Sequence, residues 1–93
     1  MRTIETGQRF RRDLKRERKS QHGQNLATLL EPVLDMLAAD IPLPPNCRDH
    51  PRTGDWVDHR DCHIRPDLVL IYRKPDADTL QLVRLGSHSE LGI

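Results

Sequence analysis

The longest strictly apolar run in this 93-residue chain is the pentapeptide Leu68–Tyr72, which lies between two turn signals. Pro66 precedes the run, and the segment Pro75–Asp78 follows it. A run this short cannot span a membrane, which needs ~20 residues, but it matches a strand that is buried on both faces. A central strand is therefore predicted at residues 67–74, with other layers of the protein on both sides of it.

Two further strands are predicted next to this one, at residues 56–65 and 79–86. The connections between the three segments are so short that neighbouring strands must be antiparallel. A short strand is also predicted at residues 1–5, because Thr3 and Ile4 favour extended backbone. Prolines concentrate between residues 41 and 51 and argue against regular structure there.

An amphipathic helix is predicted after the N-cap residue Asn25, because apolar residues recur at helical spacing: Leu26, Leu29, Leu30, Val33, Leu34 and Leu37. Pro32 lies inside this pattern and predicts a kink or a restart of the helix. The apolar side of the helix is the obvious cover for one face of the sheet.

An earlier helix is predicted from residue 6 or 7 to about Gln21, where residues 22–24 interrupt the pattern. Phe10 and Leu14 are its only large apolar anchors, so this helix presents a narrow stripe to the core and basic edges to solvent.

Charge is unevenly distributed along the chain. The net charge is only +1, yet residues 1–20 hold eight basic residues against three acidic ones. Such a segment indicates contact with a polyanion, although a solvated helix face is the commoner explanation of a charge run.

Length and cysteine content limit the class of protein. A chain this short buries only about 60–65% of its unfolded surface, so residues 1–93 are expected to form a single domain. Two cysteines are too few for a disulfide scaffold, and charged residues stand where a secretory signal would be apolar. We therefore expect a cytoplasmic protein with free thiols and no membrane partner.

Four of the five histidines lie in the second half of the chain: His50, His59, His63 and His88. Histidine moves protons at neutral pH, so these residues are candidates for acid–base catalysis, although any single one is more often structural.

Zinc binding is another interpretation, because ligand-like spacing occurs twice, at Cys47/His50 and at His59/Cys62. Strand alternation opposes it, since His59 and Cys62 would point to opposite faces of an extended segment. Cys62 is then a small core residue, and we expect no metal site.

Six short blocks follow one another in the chain: PLP (42–44), RDHP (48–51), GDW (54–56), RDCHIRPD (60–67), LIYR (70–73) and RLGSHSEL (84–91). Together they resemble the YafQ branch of the RelE/ParE superfamily, which comprises bacterial toxins of type II toxin–antitoxin modules. The resemblance covers nearly the whole chain, and the order of the six blocks is its specific part.

This resemblance implies an α+β fold, with two N-terminal helices packed on a small twisted antiparallel sheet. It also implies a metal-independent endoribonuclease that needs no cofactor and cuts messenger RNA in the ribosomal A site. The family's catalytic residues fall at four positions of this sequence: His50, His63, Asp67 and His88. A cognate antitoxin, the ribosome and messenger RNA are the implied partners.

Cleavage of RNA by its own 2′-hydroxyl needs a base, an acid for the departing 5′-oxygen, and positive charge near phosphorus. We assign His88 as the acid, and His50, His63 and Asp67 as base and orienting groups. Arg60 and Arg84 are candidates for binding phosphate, although either could instead pair with an acid. The docking surface for ribosomal RNA would be the basic helix: Arg9, Arg11, Arg12, Lys15, Arg16 and Lys19.

One departure from the family pattern is the ending Leu91-Gly92-Ile93, where relatives commonly have Leu-Phe. The missing aromatic predicts altered efficiency or sequence preference. Three alternatives stay open on sequence grounds: a ParE-like gyrase inhibitor, a non-catalytic nucleic-acid-binding module, and a decayed toxin that still binds its antitoxin.

Overall fold

The computed structural model describes residues 1–20, 23–52 and 54–93, apart from the side chain of Asp55. Within these residues one sheet contains five strands: β1 (Thr3–Thr6), β2 (His50–Pro51), β3 (Arg60–Arg65), β4 (Leu68–Arg73) and β5 (Thr79–Gly86). Three α-helices accompany it: α1 (Gln8–Arg18), α2 (Leu26–Ala38) and α3 (His88–Leu91). The strand order across the sheet is β1-β5-β4-β3-β2.

The sheet is mixed, so the prediction of a wholly antiparallel sheet is wrong. β3, β4 and β5 pair antiparallel as predicted, with β4 in the centre. β1, however, pairs parallel with β5, from Thr3 opposite Thr79 to Thr6 opposite Leu82. Both long helices intervene between β1 and the rest of the sheet, and such a long crossover allows a parallel partner.

The proline-rich segment contains more regular structure than predicted. Pro45–Cys47 forms a 3₁₀ turn with proline at its start, and β2 pairs with β3 through His50 opposite Asp61. Pro51 is tolerated because β2 is an edge strand, where one ladder donor is dispensable.

The predicted strand at residues 56–65 begins later than expected, at Arg60. Gly54–Trp56 forms a 3₁₀ turn, and Asp58 has a left-handed φ of 72°, which extended backbone does not allow. The other two predicted strands are confirmed to within one residue at each end.

α1 and α2 pack on one face of the sheet, as predicted. Their buried residues form the larger core cluster with the sheet: Phe10, Leu26, Leu30, Leu37, Ala38, Cys47, Cys62, Leu68, Leu70, Tyr72, Leu80, Leu82 and Leu85. α1 ends at Arg18, and the predicted end at Gln21 and the break at His22 lie outside the described residues. α2 is one continuous helix across Pro32, which lies on its exposed side.

The opposite face of the sheet has a smaller core cluster of Val69, Ile71 and Leu91, with Trp56, Val83 and Ile93 packed at its edge. Leu91 belongs to α3, a helix that the sequence patterns did not predict. β4 is therefore covered on both faces, as its apolar run predicted. No helix in the described part of the chain is long and apolar enough to cross a membrane.

Candidate active site

The two histidines that meet in this structure come from β3 and α3. Along β3, Cys62 faces the helices, so His63 points to the opposite face, where it lies across from Val69 of the smaller cluster. His88 is the first residue of α3. The ring centroids of His63 and His88 are 5.3 Å apart, with the ring planes tilted by 58°.

A cavity of about 480 Å³ opens beside these two rings. Two arginines, Arg48 and Arg65, line it together with the histidines, and both arginines are exposed. The cavity therefore combines two groups that can transfer protons with two side chains that stay positively charged at neutral pH. This combination suits an anionic ligand such as a phosphodiester.

The environment of His63 keeps its imidazole neutral. Burial lowers the pKa of His63 below the ordinary value of 6.5, and the neighbouring charges of His88 and Arg48 lower it further, while Asp61 acts in the opposite direction. A neutral imidazole at neutral pH can accept a proton, which is the property that a general base needs.

His50 is placed beside a buried carboxylate. Its Nε2 lies 2.8 Å from Oδ1 of Asp61, and its Nδ1 lies 3.1 Å from the carbonyl oxygen of Pro51. Asp61 is only 2% exposed and also accepts a 2.6 Å hydrogen bond from Arg52. The exposed His50 ring thus lies next to a buried carboxylate.

Asp61 was not predicted as a site residue, although its position in the sequence indicates that it lies near His63. It is two residues before His63 on the same strand, so strand alternation places both side chains on one face. Asp67 lies in the turn between β3 and β4, directly after the cavity residues Arg65 and Pro66, and is exposed.

Arg60 and Arg84, the predicted phosphate ligands, lie away from the cavity. Arg60 Nε lies 3.2 Å from Oδ1 of Asp49, an oxygen that also accepts a 2.5 Å hydrogen bond from the Tyr72 hydroxyl. Arg84 donates 2.6 and 3.2 Å bonds to the carboxylate of Asp13 on α1. The structure thus brings Arg48 and Arg65, and not these two arginines, to the histidines.

Five of the six predicted docking residues are exposed on α1 and its end: Arg9, Arg11, Arg12, Lys15 and Lys19. We call these five the basic surface. Arg16 differs, because its guanidinium donates to Asp13, to Glu17 and to the carbonyl oxygen of Leu85. These contacts join α1 to the end of β5, and the docking role of Arg16 stays a prediction.

Within the described residues, the four residues of the zinc interpretation do not form one group. Cys47 and Cys62 are buried in the larger core cluster, and burial raises the pKa of both thiols. The His59 ring packs edge-on against Trp56, with centroids 5.3 Å apart. Among the residues that the structure describes, no three or more His, Cys, Asp or Glu side chains group in a way that could hold a metal ion.

Comparison with known proteins gives consistent results. The family profile described as the bacterial toxin of type II toxin–antitoxin systems, YafQ, matches residues 2–92. The mRNA interferase toxin YafQ of Escherichia coli K12 is 34% identical over 90 residues, which cover 97% of this chain and 95% of the relative. A putative YafQ toxin of Haemophilus influenzae is 45% identical over 56 residues, 57% of this chain and 55% of that relative.

Solved structures agree with this assignment. A metal-bound toxin from Helicobacter pylori superimposes with a TM-score of 0.86 at 48% identity, covering 98% of this chain and 99% of the other. The toxin of the E. coli DinJ–YafQ complex superimposes with a TM-score of 0.83 at 33% identity, covering 98% of both chains. Sequence and fold together show that this chain belongs to the YafQ family of toxins of type II toxin–antitoxin systems.

Proposed function

We propose that this toxin is an endoribonuclease that cleaves messenger RNA on the ribosome. The observation that supports it most is the approach of His63 and His88 to 5.3 Å beside a cavity that Arg48 and Arg65 line. The E. coli relative, which aligns with almost the whole chain, is named an mRNA interferase toxin.

In the proposed reaction the RNA supplies its own nucleophile. The 2′-oxygen attacks phosphorus, a P–O2′ bond forms, and the P–O5′ bond breaks. The lowered pKa of His63 keeps its imidazole unprotonated at neutral pH, and His63 accepts the proton of the 2′-hydroxyl. His88 donates a proton to the departing 5′-oxygen. The products are a 2′,3′-cyclic phosphate and a 5′-hydroxyl.

Negative charge builds on the phosphoryl oxygens as phosphorus becomes five-coordinate. Arg48 and Arg65 are the cavity residues that can stabilise this charge, because guanidinium groups match phosphate geometry in two-point contacts. Two further residues are proposed to orient the substrate or the catalytic imidazoles: His50, next to Asp61, and Asp67, beside the cavity in the β3–β4 turn.

Both proton transfers are assigned to imidazoles, and we therefore propose a reaction that needs no metal ion. The H. pylori toxin was crystallised with a metal bound, which makes chelation a necessary experiment for this chain. EDTA in the assay would remove the Mg²⁺ that ribosomes need, so the toxin is treated with EDTA and freed of it before it is added to ribosomes. If activity depends on a bound metal, the stripped toxin will be inactive and reloading the metal will restore cleavage. We expect the stripped toxin to keep the wild-type rate.

The basic surface is proposed to dock ribosomal RNA. Its five cations are exposed on α1 and its end, and among the described residues none of them makes an ion pair that holds the fold together, so they can approach phosphates. A cognate antitoxin is the second proposed partner, since E. coli YafQ forms a complex with DinJ. Because ribosomes are the proposed target, we also propose a cytoplasmic location.

Cleavage mapping on translating ribosomes tests the proposal. We expect wild-type protein to cut a ribosome-bound message, and His63→Gln and His88→Gln each to slow the single-turnover rate by about 10²-fold or more. His59→Gln is the matched control, because its ring packs on Trp56 and does not line the cavity. Uncut message together with trapped gyrase–DNA complexes would instead identify a gyrase inhibitor.

A further inference from the structure

We propose that Arg16 of α1 is a positioning residue for His88. It connects the long N-terminal helix to the short helix that carries the proposed catalytic acid. The inference rests on the proposed function only for its kinetic consequence, because the contacts themselves concern how α3 is held.

Arg16 contacts the chain on both sides of His88. Its Nη2 donates a 2.7 Å hydrogen bond to the carbonyl oxygen of Leu85, at the end of β5. Its Nε lies 3.0 Å from Oε2 of Glu90, inside α3. One planar guanidinium therefore links the residue three positions before His88 to the residue two positions after it.

Glu90 transmits this contact to the start of α3. Its Oε1 accepts a 2.8 Å hydrogen bond from the backbone N–H of Ser87, and the Ser87 hydroxyl accepts a 3.1 Å bond from the N–H of Glu90. This reciprocal pair is a capping box around His88. The hydrogen bond from Ser87 N–H, more than any other interaction, lowers the pKa of Glu90, so the carboxylate that faces Arg16 stays ionised at neutral pH.

Gly86 shows how closely Arg16 approaches the junction. A Cβ atom at this position would lie 2.6 Å from Nη2 of Arg16 and 3.2 Å from Oε1 of Glu90. Because glycine has no side chain, the groups of Arg16 and Glu90 can occupy the space where a Cβ atom would otherwise lie.

α3 needs such external contacts. A helix of four residues has too few internal hydrogen bonds to be stable alone, so its orientation depends on packing and on capping. Leu91 packs one side of α3 into the smaller core cluster, and the Arg16–Glu90 pair holds the side towards α1. His88 itself is exposed, so its distance from His63 follows from how α3 is held.

Asp13 and Glu17 keep Arg16 itself in place. Both carboxylates are almost fully buried, and they accept 2.9 Å bonds from Nη1 and Nε of Arg16. The guanidinium is thus immobilised on α1 before it reaches α3. Such a fixed support is what keeps a catalytic group within the tolerance that proton transfer requires.

A double-mutant cycle on the full-length toxin tests the proposal. We expect Arg16→Met to lower the single-turnover cleavage rate at saturating ribosomes about 10- to 100-fold, with the half-saturating ribosome concentration changed less than about twofold. In the His88→Ala background, Arg16→Met should lower the single-turnover cleavage rate less than about twofold, because no acid remains to be positioned. An Arg16→Met effect of equal size in both backgrounds, or no effect in either, would overturn the proposal.

Two further variants keep the test decisive. Arg18→Met is the matched control on the same helix, since Arg18 is exposed and lines neither the cavity nor the junction, and it should keep the wild-type rate. Glu90→Gln preserves an oxygen for Ser87 N–H but removes the charge opposite Arg16, and it decides the outcome if Arg16→Met fails to fold. We expect about a 3- to 10-fold loss of rate from it, again only where His88 is present.

An NMR measurement separates this inference from the proposed activity. Cross-relaxation between the His63 and His88 ring protons should be visible in the wild-type toxin and in Arg18→Met, and lost or strongly reduced in Arg16→Met and Glu90→Gln. If the wild-type protein cuts no RNA, the proposed function fails, yet loss of this signal would still support the positioning role. Its retention in both variants would overturn that role whatever the activity.

Discussion

The carboxylate of Asp13 allows a quantitative stability prediction. It is 3% exposed and accepts four hydrogen bonds. Arg84 Nε and the Leu85 N–H donate to Oδ2 at 2.6 and 3.0 Å, while Arg16 Nη1 and Arg84 Nη2 donate to Oδ1 at 2.9 and 3.2 Å. Asp13→Ala removes all four acceptor contacts and fills none of the space.

The expected cost follows from the groups that lose their partner. Arg84 has a side chain only 16% exposed, so its charge would be left largely buried and unpaired. Removing one member of a buried ion pair costs about 3–5 kcal/mol, and a stranded backbone N–H about 1–3 kcal/mol. Because Arg16 keeps its other partners and the site can partly rehydrate, we expect the free energy of unfolding to fall by about 3–5 kcal/mol.

Urea unfolding at pH 7 measures this difference, with Asp35→Ala as the control. Asp35 is exposed on α2, so its removal should change the free energy of unfolding by no more than about 0.5 kcal/mol. A loss below about 1 kcal/mol for Asp13→Ala would refute the assignment of a buried, fully bonded carboxylate.

The pH dependence gives the same prediction a second check. Burial alone would raise the pKa of Asp13, but hydrogen bonds from Arg84 and from Leu85 N–H outweigh it and hold the pKa below the ordinary 3.8. The folded state therefore binds this proton less readily than the unfolded state, so the contribution is complete above pH 3.8 and is lost as pH falls through the folded pKa. The difference in the free energy of unfolding between wild type and Asp13→Ala should therefore become smaller as the pH is lowered. A difference that grows at low pH would contradict this explanation.

Three other changes have expected outcomes. In a denaturant titration, Leu30→Ala should lower the free energy of unfolding by about 2–5 kcal/mol, and Leu34→Ala should lower it by less. The reason is that Leu30 is 5% exposed whereas Leu34 is only half-buried. Equal losses would show that the buried side of α2 is misplaced. The cleavage rate should rise with pH through an acidic limb below 6.5, since burial above all lowers the pKa of His63, and a limb above that value would contradict its role as base. Lys15→Ala should weaken ribosome binding and flatten its salt dependence without changing the chemical rate, whereas an unchanged salt slope would exclude the basic surface from docking.

Local patterns predicted the elements of this fold well. The apolar run of β4, the leucine spacing of α2 and the turn signals around them each act within a few neighbouring residues, so they are visible in the sequence. The parallel partner of β1 is not, because strand pairing between residues 3–6 and 79–82 is decided by the whole fold. α3 was missed although Ser87 and Glu90 have the spacing of a capping box, a signal that four residues give only weakly.

The candidate site was predicted in part for a similar reason. The family resemblance selected His63 and His88, and the structure brings them together although 25 positions separate them along the chain. The arginines were harder to assign, since a charge in a sequence does not show its partner. Arg60 and Arg84 face the acids Asp49 and Asp13, and only the fold shows this.

The termini of the cleavage products test the central claim most directly. A message with a single ribosome-bound target codon would be cut by wild-type toxin that has been treated with EDTA and then freed of it, and the fragments would be analysed by mass spectrometry. The proposed mechanism predicts a 2′,3′-cyclic phosphate on the upstream fragment, a 5′-hydroxyl on the downstream fragment, and no cleavage when the scissile nucleotide carries a 2′-deoxyribose. A 5′-phosphate on the downstream fragment, or cleavage of the 2′-deoxy message, would contradict it.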